Sequence, residues 1–370
     1  HEVCQVKIRY CFNACMLSCA NGQKYGGLSM PFGGNDWLGL TQERSLEPDL
    51  PICDPHHHFW DYRPARLPYQ RYLLDELLAD IGAGHNVCST VFIETRSMYR
   101  TQGPEELRPV GEIEFVQGLA SASASGIYGP SRAAAAIVGY ANLNLGNAVE
   151  PVLEALRSAS PNRFRGIRHT VTWDPNQDIA NTAAHNGQGQ LLDTNFRAGA
   201  HVLAKMGLSF DAWLYFPQLL ELADFARSIP DLTIVLNHIG GLLRTGSYAD
   251  RDDEVMIVWK KGIAEVSQCP NVFVKLGGIG QPRTGYDWHA RTNPIGSEEL
   301  SVTMTPLMTY CIEQFGPERC MFESNFPPDK VGYSYNVLFN AFKRLSEGYS
   351  VLERSGMFHD NAVRVYRITT

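Results

Sequence analysis

The chain has 370 residues, 44% of them hydrophobic, and a formal net charge of −7. That content supports one large domain or two ordinary ones, and the acidic balance without a basic stripe argues against a nucleic-acid partner. No run of about eighteen apolar residues occurs, which argues against a membrane-spanning helix.

The opening stretch, residues 1–29 ("HEVCQVKIRYCFNACMLSCANGQKYGGLS"), carries neither helical nor strand periodicity. Asn13 interrupts what would be a weak secretory h-region. Cys4, Cys11, Cys15 and Cys19 lie close together but lack the Cys-x-x-Cys or histidine pair of a zinc knuckle. The segment reads as a disordered or non-native extension, with Met30 as the better start and residues 30–49 as an irregular arm into the first strand. Cys53, Cys88, Cys269, Cys311 and Cys320 read as reduced thiols of a cytoplasmic protein.

From residue 50 onward, short apolar segments alternate with longer segments of helical spacing, the pattern of βαβ units. Strands are predicted at 50–56, 89–95, 136–143, 164–170, 208–214, 233–240, 272–278 and 320–326. Asn147, with Glu150 three residues on, offers a capping box for one helix; Ser297 opens another that Gly316 stops. Eight such units predict an α/β fold, a single (β/α)8 TIM barrel over residues 50–370. An open doubly wound sheet is the alternative, but no Gly-x-Gly-x-x-Gly follows the first strand.

Active sites of such barrels lie at the C-terminal ends of the strands, and here those ends are polar. They carry His56 and His58, Glu94, His169, Asp211, His238, Lys275, and Glu323 with Asn325. Side chains alternate along a strand, so His56 and His58 in "DPHHHFWD" project to one side and His57 to the other. Two imidazoles on one side suit a transition metal or a shared substrate; hydrogen-bonded loop histidines are the plainer reading. A lone His169 or His238 is more often a satisfied core histidine. Lys275 fits either an internal ion pair with Glu323 or Glu94 or a catalytic role, and Asp211 fits a loop cap as well as a site residue.

Arg96 and Arg100 follow the second strand and Arg168 precedes His169, so guanidinium contacts to a carboxylate are available. Two long loops carry Trp173, Trp288 and His289, which could cover a planar ring or simply pack over the barrel rim.

The motifs "DPHHHFWD", "FRGIRH", "LSFDAWLYFPQLLELA", "IVLNHIGG", "VKLGG" and "CMFESNFPPDK" together resemble the amidohydrolase superfamily in its amidohydrolase-2 branch, over about residues 31 to 368. The pattern is similar to sugar lactonases and 2-pyrone-4,6-dicarboxylate lactonase. The resemblance implies that His56 and His58 are the family's first-strand pair and His238 its strand-end histidine. The family's eighth-strand aspartate falls on Asn325, an amide that is nearly useless as a base. Glu323 or His169 would then supply the proton acceptor.

The fifth strand offers Asp211 where binuclear members have histidine, so the resemblance implies one divalent metal such as zinc, on His56, His58 and His238, or metal-free chemistry. The implied catalytic set is His56, His58, His169, His238, Glu323 and Asn325. The substrate-binding set is Glu94, Arg96, Arg100, Arg168, Trp173, Asp211, Trp288 and His289. The expected function is hydrolysis of a lactone or other ester of a small anionic molecule, with homo-oligomerisation left open. The alternatives are a non-oxidative decarboxylase of an aromatic or unsaturated acid and a decayed barrel that only binds.

Overall fold

The structure, a computed structural model, describes residues 34–62, 69–179 and 187–369. Its eight strands are β1 (Pro51–His57), β2 (Asn86–Ile93), β3 (Arg132–Gly139), β4 (Phe164–Arg168), β5 (Ser209–Ala212), β6 (Ile234–Leu236), β7 (Val272–Leu276) and β8 (Cys320–Phe322). Each pairs in parallel with the next, in chain order. The chain just after β8 closes the ring on β1: Asn325 N donates to His56 O at 2.9 Å and His58 N to Phe326 O at 2.8 Å. With helices between the strands, this is the expected (β/α)8 barrel.

Every expected strand is present, with shifted edges. β3 begins four residues before the expected 136, at Arg132. Four of its first five residues are alanines, Ala133–Ala136, with little strand preference, so burial inside the barrel decides the conformation there. The helix Ser297–Phe315 runs as expected into Gly316, at φ 78°. The capping box at Asn147 is not used. Gly146 kinks the backbone at φ 57°, and the regular helix starts at Glu150.

The barrel interior packs Cys53, Val91, Ile93, Val138, Val235 and Met321 against Tyr366 and Ile368 from the C-terminal segment. The described part of the arm is held by Glu43. Its carboxylate accepts from Ser297 N at 2.6 Å and from Asn340 Nδ2 at 3.0 Å. Residues 1–29 and the start of the arm lie outside the described residues. Among those described, no helix is long and apolar enough to cross a membrane, and Cys53, Cys88, Cys269, Cys311 and Cys320 are free thiols.

Candidate active site

A pocket of about 300 Å³ opens at the C-terminal ends of the strands, lined by His58, Trp60, Glu94, Thr95, Arg96, Arg168, Thr170, Trp213, His238, Gln281, Arg283, Asn325 and Pro328. Three of these residues hold the left-handed backbone that side chains rarely adopt: Arg96 (φ 59°), His238 (φ 55°) and Asn325 (φ 52°). Such strain clusters where a site needs a side chain turned away from its strand's course. Two glycines after β7 make room. A Cβ on Gly278 would meet His238 Nδ1 at 2.1 Å, and one on Gly277 would meet Glu323 Cγ at 2.6 Å.

His56 and His58 do share a side. Their Nε2 atoms are 3.3 Å apart, and the His56 and His238 ring centroids are 4.5 Å apart. His57 points away, its Nε2 2.8 Å from Thr90 Oγ1, and burial holds its pKa down at about 3. His58 Nδ1 lies 2.8 Å from the carbonyl of Ile93, which can only accept, so the proton sits on Nδ1 and Nε2 carries a lone pair. Burial keeps His58, His56 and His238 well below the ordinary histidine range, hence neutral.

Glu323 lies behind the histidines with no exposed surface. Its Oε1 accepts from His238 N at 3.1 Å and lies 2.7 Å from His238 Nδ1. Its Oε2 is 2.8 Å from His56 Nδ1, an ion-pair distance without hydrogen-bond alignment. Burial, opposed chiefly by the nearby Lys275 ammonium, pushes the Glu323 pKa up to about 8. Lys275 itself pairs with Asp211 Oδ2 at 2.6 Å and reaches His56 Nδ1 at 3.3 Å. The ion pair considered for Lys275 with Glu323 or Glu94 is thus made with Asp211 instead.

The structure sorts the remaining candidates. Glu94 and Arg168 meet in the pocket wall, Arg168 Nε donating to Glu94 Oε1 at 2.8 Å. Asp211 lies deep in the barrel, bound by Lys275, Asn237 and Tyr366, and does not line the pocket. His169 is buried against Tyr140 and Phe196, and its Nδ1 accepts from Leu143 N at 3.3 Å, so it too is outside the pocket lining. Arg100 forms a surface pair with Glu114. Trp288 stacks on Tyr286 at 4.4 Å, and neither it nor buried His289 is in the pocket lining. Trp173 is also absent from the lining.

Sequence reasoning passed over Trp60, Trp213, Gln281 and Arg283. Trp60 continues the alternation of His56 and His58, a usable signal; Gln281 and Arg283 sit in the loop where Trp288 and His289 were preferred. Arg283 lies 4.9 Å from the Trp213 ring centroid. Among the described residues, no carboxylate lies within ion-pair distance of Arg96 or Arg283, whereas Arg168 is matched by Glu94.

The donor set suits a cation. Among the described residues, His56, His238 and Glu323 form a ligand-type cluster whose donor atoms lie within 4.8 Å of one another; it has the carboxylate behind the rings where the expected trio had His58. On the pocket side, His58 Nε2 faces both His56 Nε2 and Asn325 Oδ1 at 3.3 Å. Asn325 Oδ1 is fixed as an acceptor because its Nδ2 donates to Asp329 Oδ1 at 2.7 Å. Two acceptors face each other there, and a proton or cation between them would relieve the repulsion.

Residues 53–368 match the amidohydrolase family. An uncharacterized protein, y4mH, from Sinorhizobium fredii is 31% identical over 86% of this chain and 99% of its own length. An L-fucono-1,5-lactonase from Burkholderia multivorans is 25% identical over 85% of this chain and 95% of its own. The fold is shared with a crystal structure of an amidohydrolase from Burkholderia multivorans with bound zinc, at a TM-score of 0.65 and 23% identity over 86% of this chain and 99% of that one. With a match running from within β1 almost to the last residue, the chain belongs to the amidohydrolase family of hydrolytic enzymes.

Proposed function

We propose that the protein hydrolyses a lactone, or another ester, of a small carboxylate-bearing molecule. The observation that carries this reading is that His58 and His238 line a pocket, with His56 and Glu323 packed behind them, and that among the described residues no carboxylate lies within ion-pair distance of its Arg96 and Arg283. An ester carbonyl needs a polarising group and a proton acceptor, and an anionic substrate needs a guanidinium. The lactonase relative supports the same reaction class.

His238 is the best-placed proton acceptor. Its Nδ1 is held by Glu323, so its other nitrogen belongs to the pocket side, and Glu323 would stabilise the imidazolium that forms. Asn325 presents its carbonyl oxygen next to His58 and cannot take the proton itself. Arg96 and Arg283 orient the substrate carboxylate, and Trp60 and Trp213 supply the apolar walls of the pocket. A divalent cation would be held by His56, His58 and the Asn325 oxygen, which leaves His238 free to take the proton. Bound there it would polarise the carbonyl and lower the pKa of water.

The test is a panel of lactones, with and without a second carboxylate, offered to the wild type and to His238→Ala. Ring opening that favours the anionic members and collapses by about 10² or more in the variant is expected. Equal rates in variant and wild type would refute the assignment.

A further inference from the structure

Asp329 is fully buried four residues past Asn325, in the turn that follows β8. Four donors converge on its two oxygens. Oδ1 accepts from Asn325 Nδ2 at 2.7 Å and from Gln281 Nε2 at 3.2 Å; Oδ2 accepts from Gly280 N at 2.8 Å and Tyr333 OH at 3.1 Å. Both side-chain amides on Oδ1 line the pocket. An amide can flip end for end, and what it offers a substrate depends on what holds its far end. With Nδ2 committed to Asp329, Asn325 turns its oxygen to His58 Nε2. With Nε2 committed to the same oxygen, Gln281 turns its own oxygen outward, where Arg283 Nη2 donates to it.

We propose that Asp329 is a positioning residue that sets the orientation of Asn325 and, through Gln281, of the Arg283 guanidinium, so that an amide at 325 and a carboxylate at 329 act as one unit. This rests on the hydrolase reading above and extends it. It also explains the departure at 325. Asp329 supplies the negative charge from behind the amide. A carboxylate placed at 325 would lack the N–H that Asn325 gives Asp329 and would set two buried carboxylates at hydrogen-bond distance, where adjacent like charges disfavour each other. Restoring the family's aspartate alone should therefore harm the protein.

The experiment is a cycle of full-length variants, Asp329→Asn, Asn325→Asp and the double exchange, read by thermal melting and by steady-state kinetics on a lactone that the wild type opens. Asp329→Asn should lower kcat about 10- to 100-fold, the usual cost of losing a partner that orients a site residue, and raise KM, because Arg283 loses its tether. Asn325→Asp should lower Tm. The double exchange should recover Tm and most of kcat, since donor and acceptor are merely swapped. KM should stay high, because Gln281 Nε2 then faces an amide instead of a carboxylate. A purely structural role would move Tm without separating kcat from KM.

Tm losses in the double variant that equal the sum of the single losses would overturn the pairing, as would wild-type kcat and KM in Asp329→Asn. If the wild type opens no lactone, the hydrolase reading fails by itself, and coupling or additivity in the melting cycle still decides for or against the unit.

Discussion

His58 Nε2 and Asn325 Oδ1 face each other at 3.3 Å as two acceptors with no proton between them. The arrangement follows from what each residue does on its other side, His58 donating to the Ile93 carbonyl and Asn325 to Asp329. A cation or proton resolves it. The purified chain is therefore expected to hold a divalent cation, to lose Tm and activity in a strong chelator, and to regain both on adding zinc. His58→Ala should weaken metal affinity by about 10-fold or more. Undiminished activity in chelator, measured alongside metal content, would rule out this assignment.

Glu323 gives a pH signature. Its pKa is pushed up to about 8 by burial, and the ionised form is the one that stabilises a protonated His238. Activity should rise with pH as Glu323 ionises and level off above that step. Glu323→Gln should lower kcat by about 10² and remove that limb. A variant keeping the wild-type profile would show that Glu323 only holds the rings in place.

Arg96 and Arg283 should govern affinity. Replacing either by Ala is expected to raise KM about 10-fold or more for an anionic substrate, the scale of one hydrogen bond to a charged group, with a smaller change for a neutral lactone. Arg100→Ala should do nothing measurable, because Arg100 is spent on a surface pair with Glu114. Kinetics on matched charged and neutral lactones test all three.

Lys275 should report on stability instead. Both Lys275 and Asp211 are fully buried, and removing one partner of such a pair leaves an uncompensated charge. Lys275→Met is expected to cost about 3–5 kcal/mol in a denaturant melt. A loss below about 1 kcal/mol would mean the pair is not the anchor beneath the histidines that the geometry describes.

The barrel was legible because its strands are short apolar runs between turn residues, and alternation placed His56 and His58 on one side with His57 opposite. Depth was harder to read. Asp211, Lys275 and Glu323 stand at strand ends like the histidines, yet the first two belong to a buried ion pair with Tyr366, a residue more than ninety positions from Lys275. No local pattern announces that contact. The pocket walls were read least well, since Arg283, Gln281 and Trp213 come from loops and short turns whose direction is set by packing, such as Arg283 over the Trp213 ring. His169 shows the same difficulty: the residue just after a strand can turn into the helix layer, here against Phe196.

The most direct test of hydrolysis is to follow oxygen and carbon together, turning over a carboxylate-labelled ¹³C lactone in ¹⁸O water with the wild-type enzyme. Hydrolysis puts one ¹⁸O in the carboxylate of the opened product for each turnover and releases no labelled carbon dioxide. Release of ¹³CO₂ without ¹⁸O in the product would contradict it and make the chain a decarboxylase.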